Sequence, residues 1–140
     1  MVDTLHLLPP DQTGTEEIRE RLEALIYGLA RNEQAAGRWS TVVDRHETYL
    51  ESSVSAFAAL GIERAIRWEM VSAEYSGLVQ RALRATLGQL SPHGELLGVS
   101  DATPVGADAG HCAARPLGSH PWGQGPALLA AIEVAPILTR

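Results

Sequence analysis

The chain has 140 residues, a formal net charge of −6, 45% hydrophobic and 20% charged residues. That length holds one domain, and the composition is that of a globular protein and not of a disordered one. All 11 basic residues are Arg, and no segment gathers several of them on one face without Glu beside them, so a grip on nucleic acid is not expected.

Leu5-His6-Leu7-Leu8 runs into Pro9-Pro10. This is the end of a helix or an extended lead-in, stopped by the prolines. Thr13-Gly14-Thr15-Glu16-Glu17 offers an N-cap with acids in the first turn. Ile18, Leu22, Leu25, Ile26 and Leu29 follow at helical spacing, and Gly37 is expected to end this helix. Arg38 to Asp44 reads as short and extended. A second helix is expected from near Tyr49 to about Met70, with a buried stripe of Val54, Phe57, Ala58, Gly61, Ile62, Ala65 and Ile66. So many small residues suit a helix packed on several sides. A third helix is expected from Ala73 to about Leu90, with Leu78, Val79, Ala82, Leu83 and Leu87 inward. Ser91-Pro92-His93-Gly94 breaks it. Residues 95–121 carry Gly98, Gly106, Gly110, Gly118, Pro104, Pro116 and Pro121, so a long loop is expected there, with a strand near Leu96 to Val99. A last helix is expected over Gly125 to Val134, with Leu128, Leu129 and Ile132 inward and Pro136 as its stop.

Two stretches repeat. Gln34 to Trp39 leads to Asp44 and a small-residue helix, and Gln89 to Leu96 leads to Asp101 and another, at an offset of 57 residues. The unit is a polar helix, a turn with an extended piece, and a small-residue helix. Such pairs bury their inner helices only by stacking, so sequential helical hairpins in a larger array are expected. The helices near 18–36 and 74–90 should then be less buried than those near 50–69 and 125–134. Leu5, Leu7 and Leu8 at one end and Leu128, Leu129 and Ile132 at the other would lack neighbours. Self-association, or a complementing chain, is therefore expected.

Apolar stretches are interrupted within a few residues by Glu, Arg or Gly, so no membrane span is expected. Met1 to Pro10 holds an acid, Asp3, and no basic lead, unlike a signal peptide. A lone Cys112 excludes an internal disulfide and a CxxC pair, and the expected location is cytoplasmic.

Several runs resemble the unsaturated glucuronyl and rhamnogalacturonyl hydrolases, glycoside hydrolase families 88 and 105. They are Gly37-Arg38-Trp39, Tyr49-Leu50-Glu51-Ser52-Ser53-Val54-Ser55-Ala56, Ala65-Ile66-Arg67, and Leu96 through Thr103. Trp122-Gly123-Gln124-Gly125-Pro126-Ala127-Leu128-Leu129 and the following Ala130-Ala131-Ile132-Glu133 are similar to the family's closing helix, and Leu7 to Asp11 is similar to a family "LLPxDHP". The resemblance implies an all-α fold of helical hairpins, part of an (α/α)6 toroid, with residues 1–140 as one partial toroid domain. It implies as substrate an oligosaccharide ending in a 4,5-unsaturated uronic acid. A family Asp protonates the vinyl-ether carbon and activates water for the neighbouring carbon, which differs from displacement at the anomeric carbon. No cofactor is implied. The family's catalytic Asp segment precedes the part that Leu7 to Asp11 resembles, so the chain alone is expected to carry no catalytic residue and no activity. The alternatives are a non-catalytic helical interaction module and a gene fragment.

Glu51 and Ser53, with Ser52 and Ser55, either line the wall of a sugar cleft or cap and pack a helix start. Trp39 and Trp122 either stack on sugar faces or are buried structural residues; Trp122, at the end of the long loop, is the better candidate. Arg115 either holds a uronate carboxylate bidentately or pairs with Asp101 or Asp108. His120 lies near a position that is often acidic in the family. His111, Cys112 and His120 match no zinc spacing, so no metal is expected.

Overall fold

The computed structural model describes residues 1–9, 11–102 and 105–136. Pro10 of the helix stop, and Thr103 and Pro104 of the long loop, lie outside the described residues. Helix α1 spans Val2–Leu7 and buries Leu5. Leu8 turns extended, at φ −75° and ψ 144°, because the following proline disfavours the helical region. Helix α2 spans Thr15–Arg31, with Gly14 as its N-cap at φ 90° and Glu16 and Glu17 in the first turn. It ends at Arg31, short of the expected Gly37, and Asn32 closes it by donating from its side chain to the Gly28 carbonyl at 2.8 Å. The seven residues that follow turn the chain back into the core. Gly37 makes that turn possible. Its φ is 87°, and a Cβ there would collide with the backbone carbonyl of Arg81.

Strand β1, Trp39–Ser40, pairs antiparallel with β2, Leu50–Glu51, and Trp39 stands opposite Glu51. Helix α3, Ser52–Arg67, leaves β2 without a break. It begins three residues after the expected Tyr49, because Leu50 and Glu51 are held in the ladder. Half of its residues are buried, most of them Ala, Ser, Leu or Ile. A 3-10 turn at Ala73–Tyr75 comes next, capped by Ser72, where a continuous helix was expected. Helix α4, Ser76–Gly88, buries Leu78, Val79, Ala82, Leu83 and Thr86. Residues 95–121 are not one long loop. Leu96 bridges to Leu90, β3 (Val99–Ser100) pairs antiparallel with β4 (Leu117–Gly118), and the short helix α5 (Ala109–Ala113) sits between those strands. Helix α6, Pro121–Glu133, starts four residues before the expected Gly125, with Pro121 preset for the first helical position.

Helix α3 is central and packs chiefly on α4 and α6, while α1 touches α2 and α3. The main core joins Leu22, Ile26, Trp39, Ile62, Leu78, Val79, Leu83 and Val134. A smaller cluster of Ala56, Leu96, Val99 and Ala127 lies under the start of α6. The fold class is all-α, built of helical hairpins.

The expected order of burial holds for α3 but not for α6. Only Gly123, Ala127 and Ala130 of α6 are buried, fewer than in α4. Leu128, Leu129 and Ile132, expected inward, are exposed, as is Phe57 of α3. Helical spacing places these residues on one face correctly, but no described element covers that face. Arg64 of α3 links the helices by charge. It donates to Asp3 of α1 at 2.9 Å and to Glu133 of α6, which also accepts from Arg67 at 2.8 Å. The hydrogen bond from Arg64, helped by Arg67 and opposed by burial, holds the Glu133 carboxyl down to about 2. Among the described residues no helix is long and apolar enough to cross a membrane.

Candidate functional site

A cavity of about 440 Å³ opens where the two strand ladders deliver α3 and α6. Its wall includes Thr41, Glu51, Ser53, Ser100, Asp101 and Trp122. Three of the residues singled out by sequence, Glu51, Ser53 and Trp122, thus meet in one place.

Glu51 is 4% exposed, and both of its carboxylate oxygens are engaged. Oε2 accepts from Ser53 Oγ at 2.7 Å and from the Val54 amide at 3.1 Å, which caps α3. Oε1 accepts from the Ser100 amide at 3.0 Å. One buried carboxylate therefore caps a helix and ties that helix to β3. A charge at this depth is tolerated because three donors face it. Ser53 Oγ reaches the cavity while donating to Glu51. Ser55, the next small polar residue, is buried and donates to the Gly37 carbonyl at 2.8 Å, which fixes α3 to the turn after α2.

Asp101 follows β3 directly. Its Oδ1 accepts from Arg115 Nε at 2.9 Å and its Oδ2 from Arg115 Nη2 at 2.7 Å, a bidentate pair that is partly exposed. Arg115 is therefore held by a carboxylate of the cavity wall and is not itself among the wall residues. Of the two carboxylates considered, the partner is Asp101; Asp108 instead caps α5 by accepting from the His111 amide at 3.0 Å.

Trp122 is half exposed and its indole Nε1 donates to the Ser100 carbonyl at 3.0 Å. The His120 ring lies parallel to it, with centroids 4.9 Å apart and planes within 1°. His120 and Trp122 thus stack as a two-ring shelf anchored to β3 through the indole N–H; Trp122 lines the cavity, and His120 is not among its wall residues. Trp39 differs entirely. It is fully buried, its Nε1 donates to the Leu29 carbonyl at 2.7 Å, and it has no face open to a ligand. The structure places it in the core and not in the cavity.

Gln124, between two glycines, donates to the Gly94 carbonyl at 3.1 Å and accepts from the Leu96 amide. A Cβ on Gly123 would collide with Val99. The Gly-Gln-Gly run is thus used for close packing of α6 on β3. Among the described residues no group of three His, Cys, Asp or Glu is placed to hold a metal ion.

Sequence reasoning missed Thr41, Ser100 and Asp101 as wall residues. Two signals were available for Asp101 and Ser100: they lie within the Leu96 to Thr103 run, and Asp101 stands at the repeat offset from Asp44. Nothing in the sequence pointed to Thr41, which reaches the cavity because its amide is bound to the Tyr49 carbonyl across the first ladder.

The family model of Glycosyl Hydrolase Family 88 matches residues 1–138, and the chain belongs to this family. The chain is 34% identical over 93 residues to a 24.9 kDa protein in picA locus of Rhizobium radiobacter, covering 64% of this chain and 40% of that protein. Among solved structures it is similar to a possible member of GH105 family from Salmonella enterica serovar Paratyphi A, at 34% identity and a TM-score of 0.90. That match covers 98% of this chain and 37% of the Salmonella chain. A possible member of GH105 family from Klebsiella pneumoniae matches at 34% identity and a TM-score of 0.89, covering 98% and 36%. The chain spans about two fifths or less of the length of these relatives. Its helical hairpins are part of the α/α toroid of that family.

Proposed function

We propose that the cavity is one wall of the sugar cleft of a hydrolase acting on a terminal 4,5-unsaturated uronic acid, by hydration of the double bond. The His120–Trp122 shelf takes an apolar sugar face, and Ser53 and Thr41 offer hydroxyls to ring substituents. Arg115 meets the uronate carboxylate through Nη1, while its Nε and Nη2 stay on Asp101. The observation that carries this reading is the convergence of Ser53, Asp101 and Trp122 on one cavity in a chain of a glycoside hydrolase family.

The same geometry argues about catalysis. A general acid/base must hold and release a proton at the reacting carbon. Glu51 has both oxygens filled by donors of this chain, and Asp101 is clamped by Arg115. Neither is free for that role, which supports an acid/base Asp in a part of the family fold outside these 140 residues. The chain alone then binds the sugar weakly and does not turn it over. A cytoplasmic location belongs to this reading, since the one cysteine makes no disulfide.

The test uses an unsaturated uronyl disaccharide. Ligand-observed NMR should show weak binding to the chain that Trp122→Ala abolishes. The ultraviolet absorbance of the double bond should not fall. Steady loss of that absorbance with the chain alone would mean that the catalytic group lies within it.

A further inference from the structure

The cavity wall is one-sided in its hydrogen bonding. Among the described residues that line it none is Arg or His, and the chain has no Lys. Its two charged members, Glu51 and Asp101, are both carboxylates. Several of its donors are already committed within the chain. The Trp122 indole N–H is on the Ser100 carbonyl, and the Ser100 and Val54 amides are on Glu51. A carboxylate cannot donate, so Ser53 must give its one hydroxyl proton to Glu51 Oε2, at 2.7 Å. What Ser53 Oγ still presents is its lone pairs.

Asp101 adds to the same imbalance. Each of its oxygens takes one bond from Arg115, and an ionised carboxylate oxygen has two lone-pair sites. The side chain is 31% exposed, so the remaining lone pairs are within reach of a ligand. The hydroxyls of Thr41 and Ser100 can donate, but each can equally accept. The wall is therefore rich in acceptors, and its formal charge is negative.

Two kinds of sugar substituent meet such a wall very differently. A free hydroxyl donates to Asp101 or to Ser53 Oγ. An O-sulfate ester in its place has no proton to give. It sets acceptor against acceptor and brings a second negative charge up to Asp101. A site built to bond a hydroxyl discriminates against the analogue without it, because its own polar groups are left unpaired.

We infer that this wall selects a sugar whose hydroxyls there are free and rejects one carrying a sulfate ester, with Asp101 as the specificity-determining residue. The inference rests on the cleft reading above and narrows its substrate to an unsulfated one. The uronate carboxylate does not conflict with it, since Arg115 meets that group from outside the wall.

The experiment compares binding of three ligands to the 140-residue chain by ligand-observed NMR. They are an unsaturated uronyl-N-acetylhexosamine disaccharide and its 4-O-sulfated and 6-O-sulfated forms. The unsulfated form should bind at least about fivefold tighter than one or both sulfated forms, the scale of a like-charge contact. Asp101→Asn removes the charge and turns one acceptor into a donor, so the ratio should fall below about twofold. A general loss of structure would weaken all three ligands alike and leave the ratio where it was. Ala102→Arg is the second arm. Ala102 is an exposed wall residue, and a cation there should turn the preference toward a sulfated form. Binding of all three ligands within fivefold of one another overturns the inference and leaves the cleft reading standing. A preference that survives both substitutions overturns the role of Asp101. Binding of none of the three overturns the cleft reading, and this inference with it.

Discussion

Helices α3 and α6 begin in the same way. Each leaves a two-residue antiparallel ladder, each is rich in small residues, and each lies downstream of a left-handed glycine, Gly37 at φ 87° or Gly94 at φ 81°. The two glycines keep the 57-residue offset, as do the residues that close α2 and α4, Asn32 and Gln89. Beyond that the units diverge. Helix α3 is capped by the Glu51 side chain, has helices on several sides, and buries half of its residues. Helix α6 has no side-chain cap and leaves Leu128, Leu129 and Ile132 exposed. The second unit also spends α5 and a longer connection between its strands. One local plan therefore gives a core helix or an open helix according to its neighbours. A small-residue helix is built to be approached closely, and its stability depends on what approaches.

The widest contrast is expected between a covered aliphatic position of α3 and an uncovered one of α6. Ile62→Ala removes a side chain that is 2% exposed and should cost about 2–5 kcal/mol. Ile132→Ala, on the open face of α6, should change stability by less than about 0.5 kcal/mol. Urea titration of the two variants measures both. Equal costs would mean that α6 is covered in solution.

The two glycines come next. Gly37→Ala strains a positive φ and also drives a methyl into the Arg81 backbone, and should cost about 3 kcal/mol. Gly94→Ala meets open space and should cost about 1 kcal/mol, the strain alone. Thermal melts that rank them in the opposite order would break the analogy between the units.

Glu51→Gln sharpens the comparison at the caps. The amide keeps the size but replaces one accepting oxygen by a donor, which then faces an N–H or hydroxyl of Val54, Ser53 or Ser100. About 2 kcal/mol should be lost. The signals of Ser100 and Trp122 should shift in a two-dimensional NMR spectrum, because Glu51 holds β3, and Trp122 hangs from β3.

The smallest effect lies at the far ends of α3 and α6. Glu133 is held well below the ordinary carboxyl value of 4.5, down to about 2. A depressed carboxyl stabilises the fold fully above the unfolded value and loses that contribution as pH falls from about 4.5 toward 2. The pair with Arg67 is partly exposed, so solvent screening limits the contribution to about 1 kcal/mol. Glu133→Gln should lower Tm slightly at neutral pH and flatten the fall in Tm over that acid range.

Much of this architecture was legible in the residues. Helical spacing of Leu22 and Ile26, and of Leu78, Val79, Ala82 and Leu83, marked the faces that are buried. The Gly-Arg-Trp and Trp-Gly-Gln-Gly runs carried the family resemblance. The candidate site was legible in part, because Glu51, Ser53 and Trp122 are near helix starts that the repeat brings together. The engagement of Glu51 by three donors was not legible, since the Ser100 amide lies 49 positions away and reaches it only because β3 is laid against the start of α3. The two tryptophans could not be told apart by sequence. Trp39 finds the Leu29 carbonyl inside the core, and Trp122 finds the Ser100 carbonyl at the edge of a cavity.

The sequence by itself determined the local events: where the backbone turns left-handed, which helices are amphipathic, which are made of small residues, and the family they belong to. These depend on neighbours within a few positions, where sterics, capping and periodicity act. Only the tertiary structure decided which apolar faces are covered. Phe57, Leu128, Leu129 and Ile132 sit at good helical spacing and are exposed, because burial requires a second surface at van der Waals distance and periodicity describes only the first.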